Sequence, residues 1–413
     1  MIDPELGQAI IARVSEQRLV ETACGAVAVP SPTGEEHEIG VYFRDRFQEA
    51  GLTTVWQEVE DGRANVVGTL EGAADGPSLM LNGHIDTSYS GREPWLTAAG
   101  FKPVPIVGDG HITGLGIANM KGAIACYVEA IHALRDAGVT LAGDLLVAAV
   151  CGEIEKTQWG EFKGAQYRGY GTGTQYLVTH GGVADMCLLG EPTEHKLVIA
   201  HYGSAWLRLS TSGPFVHTAF SEGRLEENSI VRMRDVLDAV LEWIPDWQNR
   251  TAVGDVKGVA SIGAVNGGFA WRASRTPERT DLFLDVRTPP RMSPAEARRE
   301  LRALTRSLQQ RFPQHGIESE LYVSVPGAEI DSGHELVTAV GTAHAAVLGS
   351  PAESAVLRWT ADSSALGAHG IPTLNYGVAS GLPGAAGESV SIAGLVDTAR
   401  VYALAIAAVC GVT

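Results

Sequence analysis

Four short segments of this chain carry side chains that could do chemistry together. In Leu81-Asn82-Gly83-His84-Ile85-Asp86-Thr87 a histidine and an aspartate stand two apart behind an apolar run. Further on come Gly114-Leu115-Gly116-Ile117-Ala118-Asn119-Met120-Lys121-Gly122, Gly152-Glu153-Ile154-Glu155 and Gly190-Glu191-Pro192-Thr193. Imidazole and carboxylate groups of this kind are donors for a divalent cation, and a carboxylate beside such an ion can move protons to and from water. A ligating histidine usually gives its second ring proton to a carboxylate or carbonyl, a role open to Asp86. Each residue also has a bland reading. Taken alone, His84 reads more readily as a polar strand end, whereas for Glu153 an ordinary charge at a strand end, and for Glu191 a helix start before Pro192, rank second to the chemical readings.

The elements that must position these residues follow from hydrophobic spacing. Residues 5–28 have helical spacing up to Pro30-Ser31-Pro32, and 35–51 read as a second helix stopped by Gly51. Residues 65–70 and 78–83 read as strands, and 122–137 as a helix closed by Gly138. The apolar stretches 144–151 and 186–189 are flanked by turn residues, as buried strands are. This alternation predicts an α/β fold whose catalytic domain has a largely parallel central sheet flanked by helices. His84, Glu153 and Glu191 all fall just beyond predicted strands, where open α/β sheets bind ligands. From residue 204 the texture changes: strands at 206–210, 259–262 and 281–286, helices at 228–241 and 294–311. Two strand–helix–strand groups predict a small inserted α+β domain. A helix at 333–348 and apolar segments through 374 and 399–409 return to the first layer. The expected division is 1–203 with 324–413, interrupted by 204–323.

Bulk properties narrow the function classes. At 413 residues the chain exceeds one typical core. A formal charge of −17 leaves no basic stripe for nucleic acid. No apolar run near bilayer length stands out, which argues against a membrane partner, and no signal peptide is visible. Cys24, Cys126, Cys151, Cys187 and Cys410 are scattered, which suits reduced thiols in a cytoplasmic protein. There is no Gly-x-Ser-x-Gly elbow, and Cys151 reads as buried, so nucleophilic catalysis has little support.

In this order the four segments resemble the zinc-peptidase family of aminoacylases, acetylornithine deacetylases, succinyl-diaminopimelate desuccinylases and carboxypeptidase G. The resemblance covers nearly the whole chain. It implies a catalytic domain in two pieces with a lid or dimerisation domain between them, and hence a homodimer or larger homo-oligomer. It further implies two metals held by five side chains, with His84 and Glu191 on the first metal. Glu153 matches the general base. His217, in Gly213-Pro214-Phe215-Val216-His217, matches a lid histidine that hydrogen-bonds the developing oxyanion, and Glu227-Asn228 follows it. Arg287, in Asp285-Val286-Arg287-Thr288-Pro289, matches an arginine that meets the substrate carboxylate, for which a planar fork is suited; Asn228 joins it as a candidate substrate contact. Lys121 reads as structural.

The departures from that pattern are informative. The family's metal-bridging aspartate is Asn119 here, a neutral amide that cannot hold two dications a few ångström apart. The carboxylate expected directly after the base is Ile154. Glu155 would replace it only by a one-residue shift, which reverses side-chain direction in an extended chain. The late histidine is missing: residues 377–388 contain none, and His369 comes too early. The expectation is one weakly held divalent transition metal (zinc, manganese, cobalt or iron) on His84, Glu191 and Asn119. With Glu153 as base, the expected activity is hydrolysis of a C–N bond in a small carboxylate-bearing molecule. Two alternatives stand beside it: hydrolytic deamination of an electron-poor aromatic amine such as a nitroanthranilate, and a pseudoenzyme that keeps the fold for binding. The aromatic-rich stretch from Trp159 through Phe162 and Tyr167 to Tyr170 reads either as a surface loop or as a wall for a flat substrate.

Overall fold

His84, Glu153 and Glu191 leave three neighbouring strands of one sheet at the same end. This is seen in a computed structural model that describes residues 2–413 except 161, 379 and 385, with the backbone alone for 380–384. Strand Leu79–His84 lies between Leu145–Val150 and Met186–Leu189 and is parallel to both, pairing His84 with Val150 and Asn82 with Leu189. Thr373–Asn375 extends the parallel core beyond Met186–Leu189. On the other side Arg63–Leu70 and then Thr53–Glu60 add on antiparallel. The parallel centre is buried on both faces, so its strands are apolar throughout rather than alternating. Leu79 and Leu81 enter the core that holds Phe43, Tyr127 and Tyr402, while Met80 and Val150 face Leu177 and Leu366 on the opposite side.

Helix Gly122–Asp136 packs against Ile392–Cys410 under the first face. Ile392–Cys410 corrects the sequence expectation that no segment has membrane-spanning length. It has 19 residues and a mean hydropathy of 1.6 in its most apolar window. Two-thirds of that window is buried inside the protein, so its apolar character is that of a core helix. The stretch 5–28 also differs from expectation. It forms two helices, Pro4–Ile11 and Glu16–Val27, because the Ser15 hydroxyl accepts from Arg18 N at 3.3 Å and starts the second. Thr53–Glu60 was not foreseen, being a half-exposed edge strand without an apolar run.

The chain divides into two compact units. The larger comprises Met1–Ile199, Glu329–Leu357 and Ala361–Thr413. The smaller comprises Ala200–Ala328 and Arg358–Thr360. Within the smaller unit four antiparallel strands run in the order Val259–Gly267, Arg279–Thr288, Gly203–Ser212, Glu318–Val325. Helices Ser229–Arg250 and Pro294–Arg311 close its core around Leu207, Leu209, Val236, Trp247, Leu284 and Leu304. The first helix runs well past residue 241, through Pro245, and Glu318–Val325 is a further strand the sequence reading did not contain. Pro294–Arg311 begins on a capping box between Ser293 and Glu296.

Candidate active site

His84 is the last residue of its strand, Glu153 follows Val150 by three residues and Glu191 follows Leu189 by two. Their donor atoms converge: His84 Nε2 lies 3.7 Å from Glu153 Oε2 and 4.0 Å from Glu191 Oε1. All three side chains are buried, and one donor atom from each lies within 4.8 Å of the others, the only such grouping among the described residues. Asn119 Oδ1 faces the same nitrogen at 2.9 Å. Glu155 and His369 are not in the cluster, and the His369 ring faces the carbonyl of Ala365.

Asp86 organises this site. His84 Nδ1 lies 2.9 Å from the Asp86 carbonyl oxygen and 3.5 Å from its carboxylate, which fixes the ring and leaves Nε2 for the cluster. The Asp86 carboxylate accepts from Thr33 Oγ1 at 2.8 Å, from Glu153 N at 3.0 Å and from Ile154 N at 3.2 Å. One side chain thus orients the histidine and anchors the turn that carries Glu153. Behind that turn Arg63 and Glu36 form a buried two-pronged pair, Nε to Oε2 at 2.9 Å and Nη2 to Oε1 at 2.6 Å. Gly152 has φ 68° and a Cβ there would meet Arg63 Nη2, so the turn before Glu153 needs glycine for both conformation and space.

Electrostatics follow from packing so many carboxylates together. Burial pushes the Glu153 carboxyl well above the ordinary range; the charge of His84 pulls the other way, and those of Glu191, Asp362 and Asp86 add to the rise. Burial alone would lower the His84 imidazole, but the hydrogen bond to Asp86 and the charges of Glu153, Asp86 and Glu191 raise it. Asp362, which the sequence reading missed, is 2% exposed; its Oδ2 accepts from Thr174 Oγ1 at 2.6 Å, while Oδ1 has no hydrogen-bond partner among the described residues. Burial pushes its carboxyl up to about 6. A buried pocket of carboxylates around one imidazole, with an orphaned carboxylate oxygen nearby, has the charge and donor chemistry a divalent cation needs.

Two more buried residues escaped the sequence reading. Glu388 Oε2 accepts from Ala118 N at 2.9 Å and Asn119 N at 3.1 Å, holding the segment that presents Asn119. Thr33 sits in Ser31-Pro32-Thr33-Gly34, which reads from sequence only as a helix stop. Lys121, expected to be structural, is buried and donates to the Val29 carbonyl at 2.7 Å.

The candidates in the smaller unit have local partners. Asn228 caps helix Ser229–Arg250, its side-chain oxygen accepting from Ile230 N at 2.9 Å. Arg287 donates through Nε and Nη2 to Asp285 Oδ2 at 2.9 and 2.8 Å. His217 is half-buried, with Nδ1 accepting from Ala219 N at 3.2 Å.

Strand-end donors on this fold define a metallohydrolase-like α/β scaffold, and comparison with known proteins agrees. Residues 80–408 match the profile of Peptidase family M20/M25/M40, and the chain belongs to that family. A probable succinyl-diaminopimelate desuccinylase of Staphylococcus epidermidis is 26% identical over 210 residues, 50% of this chain and 47% of the relative. An N-formyl-4-amino-5-aminomethyl-2-methylpyrimidine deformylase of Bacillus subtilis is 33% identical over 127 residues, 30% of this chain and 29% of the relative. This chain therefore spans about half or less of the curated relatives it matches. The fold is similar to that of the aminopeptidase PepT from Bacillus cereus, with a TM-score of 0.72 at 19% identity, covering 97% of this chain and all of that one.

Proposed function

We propose that this chain hydrolyses a C–N bond in a small carboxylate-bearing substrate, using one exchangeable divalent metal. His84 and Glu191, with Asn119, are the residues that hold the cation, and Glu153 is the general base. A cation bound there supplies Lewis acidity toward a carbonyl oxygen and acidifies water. Glu153 takes a proton from the attacking water as its oxygen bonds to carbon, then delivers that proton to the departing nitrogen as the C–N bond breaks. Asp86 holds His84 and the Glu153 turn in register throughout. His217 and Arg287 remain the candidates for oxyanion and carboxylate contacts.

The observation that carries this reading is the buried Glu153 carboxylate 3.7 Å from His84 Nε2, on a turn whose two amides are fixed by Asp86. A binding scaffold has no use for such costly burial of charge, which weighs against a pseudoenzyme. The test is an activity matrix of zinc, manganese, cobalt and iron against N-acyl amino acids, dipeptides and aminobenzoates, with Glu153→Gln as control. Turnover that needs both metal and Glu153 is expected; turnover that survives Glu153→Gln, or none anywhere in the matrix, overturns the proposal.

A cytoplasmic setting fits the five unpaired cysteines. Self-association through the exposed edge strand Val259–Gly267 belongs to the same reading, and a solution mass equal to one chain would remove it.

A further inference from the structure

The stretch between Glu153 and helix Thr172–Thr179 is closed at its neck. Tyr170 N donates to the carbonyls of Glu153 and Ile154 at 3.1 and 3.2 Å, and Gly171 and Thr172 N donate to Gly152 O at 3.0 and 3.1 Å. A Cβ on Gly169 would collide with Ile154 O and meet Lys156 N and O at 3.1 Å, so the returning segment lies directly on the Lys156 backbone. Lys156 is thereby fixed three residues from the proposed base.

Its side chain sits among rings. Lys156 Nζ lies 4.1 Å from the centre of Phe162 and 5.7 Å from that of Tyr167, and the two rings meet edge to face at 5.5 Å. Tyr167 packs on Gly34, next to the Thr33 that holds Asp86. Lys156 has no ion-pair partner among the described residues, although carboxylates are plentiful around it. Burial lowers its ammonium, and the charges of Asp86, Glu36, Glu93 and Glu35 act against that. An ammonium steadied by ring faces keeps its donors for an incoming anion, whereas one held in an ion pair does not. Phe162 is 38% exposed, leaving aromatic surface beside the charge.

We infer that Lys156, cradled by Phe162 and Tyr167, forms a subsite that takes the carboxylate of an aromatic acid. It deepens the hydrolase reading by naming the substrate class, and it rests on that reading for its role in turnover.

The experiment measures binding by calorimetry to the full, manganese-loaded chain. The probes are benzoate, its uncharged counterpart benzamide, and the non-aromatic cyclohexanecarboxylate. The wild type should bind benzoate about tenfold or more tightly than either comparator, the scale of one charge-assisted hydrogen bond. Lys156→Gln should abolish the preference over benzamide, and Phe162→Leu, at an exposed position, the preference over cyclohexanecarboxylate. Circular dichroism and metal content report whether each variant is folded, and either variant alone suffices. No preference in the wild type, or preferences that survive both substitutions, overturns the inference. Preferences that depend on Lys156 without C–N hydrolysis in the activity matrix would leave the subsite standing and remove the hydrolase reading. Hydrolysis with binding indifferent to Lys156 does the reverse.

Discussion

The two units of this chain treat charge differently. In the larger unit Glu36, Arg63, Asp86, Lys121, Glu129, Glu153, Glu191, Asp362 and Glu388 are all buried. In the smaller unit no described Asp, Glu, Lys or Arg is buried; pairs such as Arg311–Glu242 and Arg250–Glu300 lie at its surface. Burying an ion costs several kcal/mol unless partners compensate, so a fold concentrates that cost only where charge has work to do. Most of these nine residues surround one cluster of strand ends, and they hold one another. Arg63 clasps Glu36, Glu388 caps the Asn119 segment, and Asp86 ties His84 to the Glu153 turn.

Substitutions should expose the contrast in graded steps. The largest effect is expected from Glu153→Gln, which keeps the shape but removes the proposed base: kcat should fall by about 10²–10⁴, read in steady-state assays on the best substrate of the matrix. Next, Arg63→Met leaves Glu36 buried without its ion-pair partner, with only the Gly34 amide donating to it, and should cost roughly 3–5 kcal/mol by urea denaturation. Because Arg63 backs Gly152, activity should decline even where the variant remains folded. Wild-type stability in this variant would mean the buried pair does not brace the turn.

Asp362→Asn tests the sign of a buried charge. The Asp362 carboxyl is held at about 6, above the ordinary 3.8, so its contribution is full below pH 3.8 and lost as pH rises through 6. In chelator-treated protein the asparagine variant should therefore be more stable than the parent at pH 7–8, by at most roughly 3 kcal/mol, and lose the advantage near pH 4. Thermal melts across that range decide it, and a variant less stable at pH 8 would contradict the assignment. The smallest effect belongs to the other unit: Arg311→Ala removes an exposed pair and should leave the urea midpoint where it is. A clear loss there would blur the distinction between the units.

Much of this was legible from residue order. The parallel strands announced themselves as short apolar runs, because a sheet covered on both faces has no polar side to alternate. Helix Pro294–Arg311 carried its own start signal in Ser293 and Glu296. His84, Glu153, Glu191 and Asn119 stood where strands end or a glycine-rich turn begins. The edge strand Thr53–Glu60 lacked such a signal, since a half-exposed edge needs no apolar run.

What the sequence determined by itself was local: where strands and helices form, which donors lie at their ends, and that Asn119 and Ile154 stand where the resembled pattern has carboxylates. Only the tertiary structure decided which distant groups share one buried space. Thr33 with Glu36, then Arg63, Asp362 and Glu388, come from four separate stretches of the chain and have no periodicity that marks them. Their meaning arises from hydrogen bonds and charge acting over a few ångström, and the chain comes within that range only when the sheet brings its strand ends together.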